Sequence, residues 1–246
     1  MDSNYYEEYF YLEREHWWFK ARNQILDIHI NSLLKKKDKN YRILNICAGT
    51  GYTSEILSKY GEVKSIEFNE KCREIVMEKT NLSIEYGDIR ELNFDTESFD
   101  IVTAFDVIEH IDDDRKAFEE VFRVTKKNGL IITSVPAFNF LWSDHDEINH
   151  HYRRYTKKTF NLLSADLNLK KIYSSYFNFF LFPLICLIRI FSRFKKKKLI
   201  KSDFENYNSS FFDKILFKVF SIESFFVKYK VNLPVGVSLL TSFVKK

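Results

Sequence analysis

Between residues 41 and 136 the chain alternates short apolar runs with charged, amphipathic ones. YRILNICAG (41–49) reads as a strand entering a glycine turn, and TSEILSKYG (53–61) as a helix stopping at Gly61. VKSIEF is the next strand, NEKCREIVMEKT the next helix, and LSIEYGD and FDIVTAFDV further strands. DDDRKAFEEVFRVTKKNG (112–129) predicts a helix with acids in its first turn and Lys and Gly at its end, before the strand GLIITSVP. Such alternation implies parallel strands joined by right-handed crossovers, hence an α/β doubly wound, mostly parallel sheet with helices on both faces. Sheets of this kind bind ligands beyond the carboxyl ends of their strands.

The remainder is bounded by composition. A chain of 246 residues, 45% hydrophobic and 29% charged, is long enough for one large domain with an appendage and too apolar for global disorder. A net charge of +4 does not mark a nucleic-acid binder. Cys47, Cys72 and Cys186 form no CxxC pair, which excludes a disulfide scaffold or cysteine zinc site and suits a reducing, cytoplasmic setting. The opening MDSNYYEEYFYLEREHWWF lacks the pattern of a signal peptide. Residues 5–35 predict one helix, with Tyr5, Tyr9, Leu12, His16, Phe19, Ile25, Ile28 and Leu33 near helical spacing. The expected organisation is a helical lid over 1–40, a Rossmann-like domain over 41–176, a hydrophobic and basic helical insertion over 177–233, and a final strand within 234–246.

The first strand runs into Asn45-Ile46-Cys47-Ala48-Gly49-Thr50-Gly51. Glycines there permit a tight turn and close approach of backbone to ligand. Glu67, ending the next strand, suits a ribose diol, because a carboxylate offers paired acceptors to two hydroxyl donors. Asp88 ends the third strand and suits an adenine amino group, with Ile89 against the ring. A dinucleotide fingerprint laid on this turn would put Cys47 first and Tyr52 last, and Tyr is too large for the close helix–strand contact required there. An NAD-dependent oxidoreductase is therefore the disfavoured alternative. Adenosine binding without phosphate chemistry points to S-adenosylmethionine (SAM).

These blocks, ILNICAGTG, SIEFNE, YGDIREL, FDIVTAFDVIEHIDDD and VTKKNGLIITSVP, resemble in order the class I, seven-strand SAM-dependent methyltransferases, particularly the small-molecule type 11 group. The resemblance covers roughly residues 41–136. It implies SAM as cofactor, with Asn45, Cys47, Gly49, Gly51, Glu67, Phe68, Asp88, Ile89 and Phe105 around it. The chain departs from the family at Asn45, where an acid is usual, and at Cys47, where Gly is usual. These departures motivate a second alternative, a catalytically inactive, membrane-associated partner protein. The family's closing antiparallel hairpin would fall on 169–176 and 238–244.

Two clusters compete for the acceptor. Asp106, Glu109 and His110 would share one face of a helix beginning there, and resemble the acid-x-x-Glu-His of ubiquinone-type O-methyltransferases, which can hold a divalent metal. A metal-free pocket role is the preferred expectation, with His110 among the candidate catalytic residues. The second cluster spans Trp142 to Tyr155, after the fifth strand. Here His145 and His151 are the preferred bases and Asp146 their orienter; Trp142, Arg153, Arg154 and Tyr155 are expected to contact substrate, the arginines through an anionic group. With EREHWWFKAR near the N-terminus, this segment resembles a methyltransferase subgroup met beside cell-envelope sugar and lipid genes. Trp17, Trp18 and Arg22 are expected in a lid helix over the site.

The insertion opens with FNFFLFPLICLIRIF (177–191) and continues into Lys195–Lys198. From 167 to 202 there are nine basic residues and no acidic one. The later FFDKILFKVFSIESFFVKY predicts an amphipathic helix with Phe212, Ile215, Leu216, Val219 and Phe226 on one side. Apolar segments beside lysines suit a membrane surface, with Lys on anionic headgroups. The expected function is O-methylation of a small or lipid-linked acceptor, a polyprenyl-linked sugar or quinone-like compound, at the inner membrane face. No NPPY- or DPPY-like motif points to a nucleic acid.

Overall fold

The computed structural model describes residues 3–34, 40–193 and 211–246. Among them seven strands form one sheet in the order β3-β2-β1-β4-β5-β7-β6. The strands are β1 (Tyr41–Ile46), β2 (Gly61–Glu67), β3 (Ile84–Tyr86), β4 (Phe99–Phe105), β5 (Thr125–Pro136), β6 (Leu169–Phe177) and β7 (Ser238–Lys245). The first five are parallel, and β7 runs antiparallel between β5 and β6. Central strands carry apolar side chains on both faces because helices cover both. Ile43, Leu44 and Ile46 of β1 and Ile101, Val102 and Ala104 of β4 are all buried.

The helices are α1 (Ser3–Glu15), α2 (Trp17–Leu33), α3 (Tyr52–Leu57), α4 (Glu70–Lys79), α5 (Asp114–Val124), α6 (Asp144–Ile148), α7 (Lys157–Leu163), α8 (Phe182–Arg193), α9 (Phe211–Ser221) and α10 (Glu223–Lys228). Three differ from the sequence expectation. The single N-terminal helix is broken at His16, whose imidazole caps α2 by accepting from the Trp18 amide at 3.1 Å. The helix expected to stop at Gly129 stops at Val124, and residues 125–129 already belong to β5, where the ladder with β4 shifts register and Asn128 turns to φ 63. No helix starts at Asp106: a short 3-10 turn spans Ile108–His110.

The lid expected over 1–40 divides in two. α2 is a structural layer of the sheet: Ala21, Ile25, Leu26 and Ile30 share one core with Ile43, Ile101, Ile132 and Leu240. His29 Nε2 lies 2.7 Å from Ser242 Oγ on β7, joining helix to sheet. The insertion is not separate from this core either. Phe220 of α9 is fully buried and stacks on Phe177 at 6.2 Å. Glu223 of α10 accepts the amides of Asn178, Phe179 and Phe180 at 2.6, 2.7 and 3.1 Å, anchoring the approach to α8. The α9 side that meets the core is Leu216, Phe217, Val219 and Phe220, whereas Phe212 and Ile215 are exposed. Lys195–Lys198 lie outside the described residues.

Candidate active site

The carboxyl ends of the parallel neighbours β1, β2 and β4 lie at one edge of the sheet, where the glycine turn borders an open hollow at Gly49. Cys47 (φ 49) and Asp106 (φ 56), directly after β1 and β4, both take the left-handed conformation that costs non-glycine residues about 1 kcal/mol or more. Gly49 shares it at φ +54, and a Cβ built there would meet nothing within 4 Å, so its Cα faces open space. Its amide donates to Glu67 Oε2 at 3.0 Å, while Glu67 Oε1 accepts from the Asn69 amide at 2.9 Å. Two backbone donors thus fix the carboxylate at the hollow's edge. Phe68 beside it is 56% exposed, with Tyr86 5.7 Å away between ring centres. Burial, followed by the charges of Glu67, Asp88 and Glu109, pushes the Cys47 thiol well up. Sulfur there is an uncharged wall, not a nucleophile.

Other residues expected at the cofactor are engaged elsewhere. Asn45 is 1% exposed; its amide donates to Thr53 and Ser54 hydroxyls at 2.9 Å each, and its oxygen accepts from Thr103 at 2.9 Å. It is a strut between β1, β4 and α3. Gly51 (φ +83) faces away from the hollow, since a Cβ would strike Leu82 at 2.8 Å and Val76 at 3.2 Å. Ile89 and Phe105 are buried in the apolar cores. The Asp88 carboxylate is held by Arg90, with Nη2 at 2.7 Å and the backbone amide at 2.8 Å, which keeps it below the usual carboxylate range.

What covers the turn is α1, through residues the sequence reading missed. Glu13 accepts from the Thr50 hydroxyl, and Arg14 donates to the Thr50 carbonyl at 3.3 Å and pairs with Glu55. In the sequence both open the block EREHWWFKAR, which carried a resemblance to a subgroup but no role for these two side chains. Of the expected lid residues, Arg22 reaches the hollow: buried, it pairs with Asp106, which also accepts from Ser134 Oγ at 3.1 Å. Trp17 and Trp18 instead pack on the α2 core, Trp18 6.3 Å from the Phe220 ring.

The acceptor clusters are rearranged. Arg154 forms a buried two-point ion pair with Asp146, Nε to Oδ1 at 2.7 Å and Nη2 to Oδ2 at 2.9 Å. Arg153 pairs with Asp114 at 2.7 Å. The Tyr155 hydroxyl donates to Asp114 at 2.7 Å from inside the core. Through these bonds the three residues tie the segment after β5 to α5 and α6. Trp142 is half-buried before α6. Asp146 caps α6 with Ser143 and holds His151 Nδ1 at 2.9 Å. Burial would raise the Asp146 carboxyl, but the bonds from His151 and Arg154 reverse this and keep it ionised well below the ordinary range.

His151 meets His110 edge to face at 4.5 Å, with His145 6.2 Å beyond. His110 Nδ1 lies 2.8 Å from the Asn149 carbonyl, and burial, then the neighbouring His151, lowers its pKa to about 4. Glu109 is fully buried, and neither carboxylate oxygen has a hydrogen-bond partner. Burial, with Asp106 nearby, pushes its carboxyl well up. The set Asp106, Glu109, His110 expected from spacing does not assemble, because Asp106 turns to Arg22. Glu109, His110 and His151 come together instead, each placing a ligand-type atom within 4.8 Å of the others.

Comparison with known proteins fits this geometry. Residues 44–133 match a family model described as a methyltransferase domain. Demethylmenaquinone methyltransferase of Staphylococcus aureus is 36% identical over 102 residues, which are 38% of this chain and 42% of that protein. The match therefore spans less than half of the curated relative. Among solved structures, a SAM-dependent methyltransferase of Thermotoga maritima superposes with a TM-score of 0.60 at 16% identity, covering 99% of this chain and 96% of that one. The YcgJ protein of Bacillus subtilis gives 0.58 at 18%, covering 90% and 98%. The [4+2]-cyclase SpnF gives 0.60 at 12%, covering 93% and 82%. Such neighbours establish fold alone, and the cyclase shows that this fold carries more than one chemistry. Residues 44–133 thus resemble a methyltransferase domain, and the seven-stranded sheet has the Rossmann-like α/β fold of these solved structures.

Proposed function

We propose that the protein is a SAM-dependent methyltransferase acting on an oxygen of a quinone-like or lipid-linked acceptor. The observation that carries this reading is the Glu67 carboxylate, fixed by the Gly49 amide beside open space, within the segment that matches a methyltransferase domain. Bound SAM supplies an electrophilic methyl group. Glu67 would accept from the ribose diol, and Phe68 would flank the nucleoside. Asp88 would meet adenine only by sharing its oxygens with Arg90. Glu13 and Arg14 close α1 over the turn and exclude water. The acceptor's side is served by His151, with Asp146 positioning its ring.

A lipidic acceptor is supported by the demethylmenaquinone relative and by α8. Leu184, Leu187, Ile188 and Phe191 form an i, i+3, i+4, i+7 stripe and are 51% to 64% exposed. Exposed Lys214, Lys218 and Lys228 accompany the exposed apolar residues of α9 and α10. That combination fits an anionic lipid surface. No helix among the described residues is long and apolar enough to cross a membrane.

Calorimetry with S-adenosylhomocysteine tests the cofactor reading. The wild type should bind saturably, and Glu67→Ala should weaken binding at least about tenfold. No heat from folded wild-type protein would refute it. Saturable binding without methyl transfer to quinone-like or lipid acceptors would favour the inactive partner protein.

A further inference from the structure

We propose that the amino-terminal edge of the sheet carries a second ligand site, a cavity bordered by Lys127, Lys170 and Lys230 that takes one amphiphilic anion, an alkyl chain with a phosphate or carboxylate head. The inference goes beyond the proposed function, and the binding it claims does not require SAM.

The cavity has a volume of about 580 Å³, within the range that holds small ligands. It lies where β1, β4, β5 and β6 begin and α2 ends. Its floor is sheet. Leu130 of β5 pairs with Val244 of β7, and Val244 with Lys170 of β6, so three neighbouring strands set these residues side by side. Leu33 and Leu34 at the end of α2, Tyr41 of β1 and Ile172 of β6 complete an apolar lining. This is the edge opposite Gly49. β1 alone runs six residues between the two, about 20 Å of strand, so an occupant here is remote from the methyl group of the cofactor.

The charge around this lining selects the occupant. Lys127, Lys170 and Lys230 are exposed, and among the described residues their ammonium groups make no ion pair or hydrogen bond. The acid in the lining, Asp100, is already engaged: it pairs with Lys126 at 3.3 Å and accepts the Arg42 amide at 2.9 Å. Three positive charges are therefore left to a ligand. Lys230 keeps its charge there at φ 56, just past α10, in a conformation that glycine favours at a helix end. A lysine ammonium offers an anionic head a point charge with three donors. An inorganic anion would leave the apolar floor wet, and a neutral chain would leave the three charges unanswered, so the combination favours head and tail in one molecule.

The test is calorimetric titration of the full chain with octyl phosphate below its micelle concentration, beside octyl glucoside, which has the tail and an uncharged head, and inorganic phosphate, which has no tail. We expect one octyl phosphate per chain, bound more weakly as salt rises, and at least about tenfold weaker binding of either comparison probe. Lys127→Gln with Lys170→Gln, both at exposed positions that tolerate exchange, should lower octyl phosphate affinity at least about tenfold and leave S-adenosylhomocysteine binding and the melting temperature unchanged. Leu187→Asp with Phe191→Asp, on the separate apolar stripe of α8, should leave octyl phosphate affinity as it is. Wild-type protein without saturable octyl phosphate binding overturns the inference. So does undiminished affinity in the lysine variant, equal affinity for octyl glucoside or inorganic phosphate, or loss of binding in the α8 variant. Octyl phosphate binding by protein that does not bind S-adenosylhomocysteine would sink the cofactor reading and leave this one standing.

Discussion

At the scale of single residues, Asn45 and Glu67 show how alike polar groups at strand ends divide their work. Glu67 leaves its carboxylate on the hollow, fixed by two amides. Asn45 turns inward and spends its amide on three hydroxyls. Asn45→Ala should therefore cost about 2 kcal/mol of stability in denaturant titration, since buried hydroxyls lose partners, with little change in S-adenosylhomocysteine affinity. An acid-like cofactor role would give the reverse pattern. The strand-end positions were legible because each follows an apolar run. The partners of Arg153, Arg154 and Tyr155 were not. A basic pair in a loop reads as a ligand for anions, but Asp114 and Asp146 reach these side chains only once α5 and the β5–α6 connection are packed together. The grouping of His151 with Glu109 and His110 was hidden for the same reason: 41 residues separate His151 from His110 in sequence, and spacing rules see only neighbours.

At the scale of elements, the strand–helix alternation carried the five parallel strands, and the family resemblance supplied the antiparallel pairing of β6 and β7. The break between α1 and α2 was not legible, since no Pro or Gly marks it and the cap is an imidazole. The bond between α2 and β7 through His29 has a pH signature. Burial, then Lys230, lowers its folded pKa to about 3, against 6.5 ordinarily. The unfolded chain then binds the extra proton between those values, so the stability is intact above pH 6.5 and declines as pH falls toward 3. Urea unfolding should show the wild type losing roughly 2 kcal/mol more than His29→Gln between pH 7 and 5. Parallel slopes would show that His29 does not titrate in this window. His16 and His110, each lowered to about 4, add to the same trend in both proteins.

At the scale of the whole molecule, the exposed stripe of α8 is a surface left open by a well-packed core. If it meets lipid, the protein should float with phosphatidylglycerol vesicles, less so with neutral ones and less at high salt. Leu187→Asp with Phe191→Asp should abolish flotation while leaving S-adenosylhomocysteine binding intact. Equal recovery of the variant with vesicles would count against lipid contact at this face.

The sheet order has a further consequence, for synthesis. β7 lies between β5 and β6 and bonds to both along most of its length, and Lys245 donates to the Phe122 and Thr125 carbonyls at 3.0 and 2.8 Å. While the ribosome is still threading residues 178–237, β5 and β6 have already emerged with the edges that β7 will occupy unfilled. That interval exposes sticky backbone next to a phenylalanine-rich segment, so the nascent chain is most vulnerable to aggregation, and most in need of a chaperone, shortly before it can close.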